Sequence, residues 1–167
     1  MIQPGDKIPN ATLRESTGYD EQTHCPIAPE AVEVEALTKG KKVVFFGLPG
    51  AFTPTCSAKH VPGYVKAADA LKAKGVDEIV CVAVNDGFVM GAWGRDQKVD
   101  GRVRMMGDGS AEFAKKLGLD VDLGARGMGT RMRRFSMLVE DGVVKTLNVE
   151  EGGNFAVSDA ETMLKQV

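Results

Sequence analysis

Cys56 is the residue of this chain whose surroundings best suit covalent chemistry. It follows an apolar run at 43–46 and a loop rich in glycine and proline, and it directly precedes a segment with helical periodicity. The first N–H groups of a helix lack intrahelical acceptors, and the helix dipole places partial positive charge there. Both effects favour a thiolate, which is the nucleophilic form of cysteine. Cys56 is therefore a candidate nucleophile, with a buried structural cysteine as the alternative.

The loop before Cys56 is stiff and carries hydroxyl groups. Pro49 and Pro54 restrict its backbone, while Thr53 and Thr55 place hydroxyls close to the thiol. Small or rigid residues beside a thiol favour a pocket for a small polar substrate over a place in the hydrophobic core. The loop therefore strengthens the case that Cys56 is reactive.

Pro49, Thr53 and Cys56 form the pattern P-x-x-x-T-x-x-C, which resembles the active-site motif of the peroxiredoxins. The wider strings PGAFTPTCSAKHVPG, VNDGFVMGAWG and RRFSMLVEDG resemble the type II, or peroxiredoxin-5-like, subgroup. The likeness extends from about Gly40 to the C-terminus. It implies a thiol peroxidase that reduces hydrogen peroxide and alkyl hydroperoxides through a sulfenic acid on Cys56.

A cation beside the thiol would favour the thiolate and polarise a peroxide, and Arg131, Arg133 and Arg134 cluster before the last predicted hairpin. Charge and spacing in the sequence alone do not show which of these three arginines lies beside the thiol. In the family that this chain resembles, the catalytic arginine directly precedes the phenylalanine of an R-F-S-M-like strand, which implies Arg134. On the same basis Thr53 hydrogen-bonds the peroxide and Pro49 shields the sulfur from water.

His60 and the other two cysteines allow functional and structural interpretations. His60 lies four residues after Cys56, so a Cys-His pair is conceivable, but we expect a histidine that packs beneath the loop. Cys25 lies beside His24 in a polar stretch, and we expect it to be exposed and non-catalytic. Cys81 lies within an apolar run, where we expect a buried thiol, although some relatives place a resolving cysteine there.

The order of predicted elements indicates an α/β fold, and the resemblance makes it a thioredoxin-like fold with a mixed central sheet flanked by helices. Pro62 should kink or split the helix that follows Cys56. Asp141-Gly142 favours a type I′ turn, and Ser158 and Glu161 have the spacing of a capping box. The segment 118–129 is too rich in glycine to be regular throughout.

Strands are predicted at 43–46, 78–84, 102–106, 134–139 and 143–149, and helices at 56–74, 88–93, 110–117 and 158–164.

Bulk properties narrow the possible partners and locations. The chain has 167 residues and a net charge of −2, so it has no basic excess for nucleic acid or an anionic membrane. No apolar run approaches the length of a membrane span, and the N-terminus does not resemble a secretory signal. We expect one domain over residues 1–167 and a cytoplasmic location.

The resemblance also implies partners, and two rival functions compete with it. An external thiol, either glutathione with glutaredoxin or thioredoxin, would reduce the sulfenic acid, and the protein would form homodimers. No metal, haem or flavin is implied. One rival is a thiol–disulfide oxidoreductase, although the chain lacks a C-x-x-C motif. The other is a redox sensor or holdase that changes its assembly when Cys56 is oxidised.

Overall fold

The computed structural model describes all 167 residues. Strands alternate with helices from the fifth strand to the eighth, and the last three strands follow one another before the final helix. The strands are β1 Thr12–Glu15, β2 Tyr19–Asp20, β3 Cys25–Pro26, β4 Glu30–Glu33, β5 Lys42–Gly47, β6 Glu78–Ala83, β7 Arg104–Gly107, β8 Asp120–Asp122, β9 Thr130–Met132, β10 Phe135–Glu140 and β11 Val143–Val149. The helices are α1 Val34–Thr38, α2 Val61–Ala73, α3 Gly87–Asp96, α4 Glu112–Leu117 and α5 Ala160–Gln166, with a π-helical turn at Cys56–His60 and a 3₁₀ turn at Gly124–Arg126.

Seven strands form one mixed sheet in the order β11-β10-β5-β6-β7-β1-β4. The central strands β5, β6 and β7 run parallel, and the outer pairs are antiparallel. Helices cover both faces, as expected for strands that read as continuous apolar runs. The predicted α/β fold with a mixed central sheet flanked by helices is therefore confirmed.

The two faces of the sheet are buried in two separate clusters of apolar side chains. In β5, Val43 and Phe45 belong to the cluster that contains residues of α1 and α4. Val44 and Phe46 belong to the cluster that contains residues of α2, α3 and α5. Alternate residues of a strand point to opposite faces, so a strand buried on both sides has no polar face to show. This burial on both faces fixes the position of β5, and with it the position of the loop that follows β5.

In the C-terminal hairpin and helix, one prediction from the sequence is confirmed and one is wrong. Asp141 and Gly142 have φ values of +47° and +76°, which confirms the predicted type I′ geometry between β10 and β11. The predicted cap of the last helix is wrong. Asp159, not Ser158, accepts a hydrogen bond from the N–H of Thr162, at 3.1 Å. Ser158 does not cap the helix because its own N–H and hydroxyl donate to a buried glutamate.

The glycine-rich segment 118–129 is regular only in part, as expected. It contains β8, which pairs with β9 directly after the segment, and the two strands bracket the 3₁₀ turn at Gly124–Arg126. Near the N-terminus, β1 and β4 pair with one another and extend the main sheet beyond β7. The structure contains no helix with the length and apolar character needed to cross a membrane.

Candidate active site

The loop after β5 delivers Cys56 to the beginning of a helix. A first helical turn starts at Pro54, and the first backbone bond of this helix runs from the N–H of Ser57 to the carbonyl of Thr53, at 3.0 Å. The N–H groups of Thr55 and Cys56 therefore have no intrahelical acceptor. Free N–H groups at a helix N-terminus bind anions, so the thiol lies where a negative charge is stabilised.

The helix that carries Cys56 is interrupted as the proline predicts, but in an unexpected form. Residues Cys56–His60 make a π-helical turn, which closes with a bond from the N–H of Val61 to the carbonyl of Cys56. Pro62 has no N–H to donate to the carbonyl four residues earlier, so the regular α-helical ladder cannot continue through it. The wider π turn accommodates this defect directly after the cysteine.

Arg134 is the one arginine of the predicted cluster that reaches the sulfur. Its side chain is 7% exposed, and its Nη2 donates to Cys56 Sγ at 3.2 Å. Arg131 instead donates to the carbonyl of Pro49, at 3.1 Å, and Arg133 donates to the carbonyl of Glu150, at 3.2 Å. The structure therefore separates three side chains that the sequence leaves equivalent.

Strand pairing places Arg134 beside the thiol. Phe135, the first residue of β10, lies opposite Gly47, the last residue of β5. The residue before β10 must then lie next to the loop that leaves β5. A Cβ on Gly47 would come within 2.1 Å of the Phe135 ring, so a residue larger than glycine would push β10 and its arginine away.

Thr53 and Pro49 lie where the loop turns towards the helix, and both are half-buried. The Thr53 hydroxyl donates to the carbonyl of Gly50 at 2.7 Å. A hydroxyl whose proton is engaged in this way keeps its lone pairs, so in this arrangement it can accept a hydrogen bond from a substrate. Pro49 is held from outside the loop, since its carbonyl accepts the bond from Arg131.

His60 is fully buried, and each of its ring nitrogens has a polar partner. Nδ1 lies 2.9 Å from Arg134 Nη1, and Nε2 lies 3.1 Å from the carbonyl of Ser158. The guanidinium can only donate and the carbonyl can only accept, so the proton is assigned to Nε2. Burial, followed by the charge of Arg134, lowers the pKa of His60 from 6.5 to about 3.

A Cys-His pair is not formed, because the contact partner of the sulfur is Arg134 and the imidazole binds the other end of that guanidinium. The expectation of a histidine packed beneath the loop is right about burial. The rings of Phe46, Tyr64 and Phe155 surround the imidazole at centroid distances of 5.0, 5.7 and 5.1 Å. That expectation missed the two hydrogen bonds.

His60 should make the stability of the protein depend on pH. The unfolded chain takes up a proton at this side chain below about pH 6.5, whereas the folded chain does so only near pH 3, so stability falls as the pH falls through this window. We expect the free energy of unfolding to drop by about 2 kcal/mol between pH 7 and pH 5 from this residue alone. Denaturant unfolding at both pH values would measure it.

The matched control for this prediction is His60→Gln, whose amide can accept and donate at similar positions but does not titrate. The variant should lose most of the pH dependence between pH 7 and pH 5. An equal drop in the wild type and the variant would show that other groups cause the effect.

The other two cysteines lie where the sequence predicts. Cys25 is exposed in β3, and Cys81 is fully buried in the middle of β6, the central strand of the sheet. Burial, followed by the nearby charge of a Cys56 thiolate, raises the pKa of the Cys81 thiol well above 9.0. Cys81 is thus a protonated, poorly nucleophilic thiol in this conformation. No group of three or more His, Cys, Asp or Glu side chains is placed to hold a metal ion.

Glu150 supports the site and was missed from the sequence. It is 2% exposed, and its carboxylate accepts hydrogen bonds from the backbone of Ala156, Val157 and Ser158 and from the Ser158 hydroxyl. Burial alone would raise the pKa of Glu150, but these hydrogen bonds, led by that of Ser158, outweigh it and lower the pKa. Only a short glycine-containing loop separates Glu150 from these partners in the sequence. No local sequence pattern indicates that this glutamate is buried.

Trp93 has a packing role. It is fully buried, and its indole N–H donates to the hydroxyl of Ser57, the residue after Cys56, at 3.1 Å. A fully buried side chain packs within the chain and offers no surface to a partner.

Comparisons with known proteins found a matching family model and several similar chains and structures. A family model described as Redoxin matches residues 3–164. Peroxiredoxin-2B of Arabidopsis thaliana is 48% identical over 164 residues, covering 98% of this chain and 97% of the relative. The chloroplastic peroxiredoxin-2E of the same plant is 50% identical over 169 residues, covering 98% and 68%. The structure of reduced Prx3 from Vibrio vulnificus in complex with H₂O₂ is 48% identical, with a TM-score of 0.90 and 99% of each chain covered.

Proposed function

This chain belongs to the redoxin family, among the peroxiredoxins, which are thiol-dependent peroxidases, and we propose that Cys56 is the residue that peroxide oxidises. Thr53, Pro49 and Arg134 complete the catalytic site in this proposal. The sulfenic acid is returned to the thiol by an external reductant, either glutathione with glutaredoxin or thioredoxin. The reaction uses no metal and no organic cofactor.

One observation carries the assignment of the nucleophile. The Cys56 sulfur accepts a hydrogen bond from a buried guanidinium at 3.2 Å, in a loop-to-helix junction with two N–H groups that have no helical acceptor. A buried arginine is always charged, and in a site of low dielectric its attraction for a thiolate is strong. Neither Cys25 nor Cys81 has a cationic hydrogen-bond donor of this kind.

The first chemical step is a displacement at oxygen. The thiolate attacks the nearer peroxide oxygen, a new S–O bond forms, and the O–O bond breaks. The leaving oxygen takes the bonding electron pair and a proton from solvent, which replaces the proton that the thiol released, and it departs as water or an alcohol, while Cys56 keeps the other oxygen as a sulfenic acid. Arg134 and the free N–H groups of Thr55 and Cys56 stabilise the negative charge that develops. Thr53 accepts a hydrogen bond from the peroxide hydroxyl and so orients the O–O bond towards the sulfur.

Peroxide needs a small movement of the protein to reach the sulfur. Cys56 is fully buried and has no solvent-accessible surface in this conformation. The adjoining loop includes Phe52, which is 57% exposed and holds a positive φ of +61°, an unfavourable conformation for a residue with a side chain. Movement of this loop, or fraying of the helix start at the π turn, would open a narrow path for small hydroperoxides.

Recycling needs two further thiol steps. A thiol condenses with the sulfenic acid to give a mixed disulfide and water, and a second thiol attacks the mixed disulfide and releases Cys56 as the thiolate. An internal disulfide between Cys56 and Cys81 would require the middle of β6 to leave the sheet or the helix start to unwind onto it. External thiols therefore supply both steps in this proposal.

Coupled peroxidase assays test this proposal. Hydrogen peroxide consumption is measured with glutathione plus glutaredoxin and, separately, with thioredoxin and its reductase, for the wild type and Cys81→Ser. We expect at least one system to sustain turnover and Cys81→Ser to retain it within about twofold, because the buried thiol takes no part. Loss of turnover in Cys81→Ser with thioredoxin would instead identify Cys81 as the resolving cysteine. No turnover of the wild type with any thiol would overturn the proposal.

A homodimer and a cytoplasmic location are further parts of the proposal. Phe52 and Phe88 are 57% and 49% exposed, and both lie near the start of α3, since the N–H of Ala51 donates to the Asn85 side chain. Two exposed aromatic rings in one region suit a contact with a second copy. The three free cysteines are consistent with a reducing compartment such as the cytoplasm.

A further inference from the structure

We propose that His60 is a positioning residue, whose neutral imidazole holds the Arg134 guanidinium against the Cys56 sulfur. This inference rests on the proposed role of Cys56 and extends it by one residue. The hydrogen-bond partner of the Cys56 sulfur is Arg134, and His60 binds the other end of that guanidinium. It would act only through the arginine.

The guanidinium is the rigid body through which His60 would act. Its Nη2 donates to Cys56 Sγ at 3.2 Å, and its Nη1 points to His60 Nδ1 at 2.9 Å. The group is planar and its nitrogens are fixed relative to one another, so anchoring one nitrogen sets the direction of the other. Rotation of the guanidinium away from the sulfur would cost the bond to the imidazole.

The anchor is neutral, which leaves the charge of the arginine free for the thiolate. Arg134 forms no ion pair with a carboxylate, in contrast to Arg104, which is bound to Glu15. The charged groups that act on His60 are Arg134, Glu150 and Asp159, and Arg134 is the one in hydrogen-bond contact. A carboxylate in place of this imidazole would compete with the thiolate for the same cation.

The imidazole is itself fixed from behind. Its Nε2–H donates to the carbonyl of Ser158, which also accepts from the Tyr64 hydroxyl at 2.9 Å. Ser158 is held in turn by Glu150, which accepts from its N–H at 2.8 Å and from its hydroxyl at 2.7 Å. A continuous series of buried hydrogen bonds therefore joins Glu150 to the reactive sulfur, with His60 as the link between Ser158 and Arg134.

A purely structural role for His60 makes a different prediction. If the ring only fills space among Phe46, Tyr64 and Phe155, an apolar side chain of similar size would serve as well. If it positions Arg134, the apolar side chain leaves Nη1 without an acceptor in a buried site, and the guanidinium turns to find one. The two roles are thus distinguished by whether the side chain at position 60 can accept a hydrogen bond, and not by the volume of that side chain.

The test compares His60→Leu, His60→Gln and, as a matched control, Tyr64→Phe. The control also removes a donor to the Ser158 carbonyl, but the Tyr64 hydroxyl makes no hydrogen bond with Arg134. Two quantities are measured on each folded protein. The first is the rate constant for oxidation by hydrogen peroxide, followed by the fluorescence of Trp93, whose indole binds the neighbouring Ser57. The second is the rate of iodoacetamide alkylation of Cys56 at neutral pH, which needs no peroxide.

We expect His60→Leu to lower the oxidation rate constant by about 10- to 100-fold, since a small misplacement of a catalytic group has effects of this size. Alkylation of Cys56 at neutral pH should also be slower than in the wild type, because the guanidinium no longer faces the sulfur. His60→Gln, which keeps an acceptor, should restore most of the rate, and Tyr64→Phe should stay close to the wild type.

Equal oxidation rates and equal alkylation rates for His60→Leu and His60→Gln would overturn the inference. So would a loss in Tyr64→Phe as large as that in His60→Leu, because it would point to general damage to the aromatic cluster. These outcomes leave the role of Cys56 untouched, since that role is decided by Cys56→Ser. If His60→Leu does not fold, a His60→Gln protein that folds but reacts as slowly as Arg134→Met would equally overturn the inference.

Discussion

Cys56→Ser should reduce peroxide turnover to the background rate, a loss on the order of 10⁴-fold or more, as is common when a nucleophile is removed. A serine hydroxyl beside Arg134 would keep the hydrogen bond seen at 3.2 Å but would not ionise at neutral pH. It also cannot form a sulfenic acid. The measurement is steady-state hydrogen peroxide consumption with whichever thiol system supports the wild type.

Cys25→Ser is the control for this prediction. Cys25 is exposed in β3 and has no contact with the site, so its variant should turn over at the wild-type rate. Retained turnover in Cys56→Ser together with loss in Cys25→Ser would place the chemistry at the surface hairpin and would refute the account of the site.

Arg134→Met should give the second-largest effect, a fall of about 10²- to 10³-fold in the rate constant for the reaction with peroxide. Removal of one charged or hydrogen-bonding group that stabilises a developing oxyanion has effects of this size. Methionine has a similar volume and tolerates burial, so the change mainly removes the charge and the bonds to Cys56 and His60. The rate constant is measured by stopped flow at neutral pH.

Arg134→Lys and Arg133→Met define what the arginine supplies. Lysine keeps the charge but not the planar fork, so it cannot bind the sulfur and the imidazole together, and we expect an intermediate rate. Arg133→Met removes a charge one residue away whose side chain donates to the Glu150 carbonyl, and it should have a small effect. Comparable losses in Arg133→Met and Arg134→Met would indicate that only the overall charge of this region matters.

The sheet and the position of Cys56 at the start of a helix were predictable from the sequence because they depend on local signals. Continuous apolar runs identify β5 and β6, and the loop rich in proline and threonine marks the turn into the helix. Asp141-Gly142 fixes the last hairpin through its φ preferences. Each of these signals lies within a few residues of the feature that it predicts.

Contacts between distant segments were not predictable in this way. His60 and Ser158 are 98 residues apart, and only the packing of α2 against the segment before α5 shows that they meet. Ser158 resembles a helix cap in sequence, but Glu150 binds it and Asp159 takes its place. Arg134 was singled out by family resemblance, since charge and spacing alone leave it equivalent to Arg131 and Arg133. The physical reason for that choice is the pairing of β10 with β5.

Trapping of the oxidised cysteine tests the central claim most directly. The reduced wild-type protein is treated with one equivalent of hydrogen peroxide in the presence of a reagent specific for sulfenic acid, and the adduct is located by peptide mass spectrometry. The account predicts that the adduct lies on Cys56, with Cys25 and Cys81 recovered as free thiols. An adduct on Cys25 or Cys81, with Cys56 still available for alkylation, would contradict it.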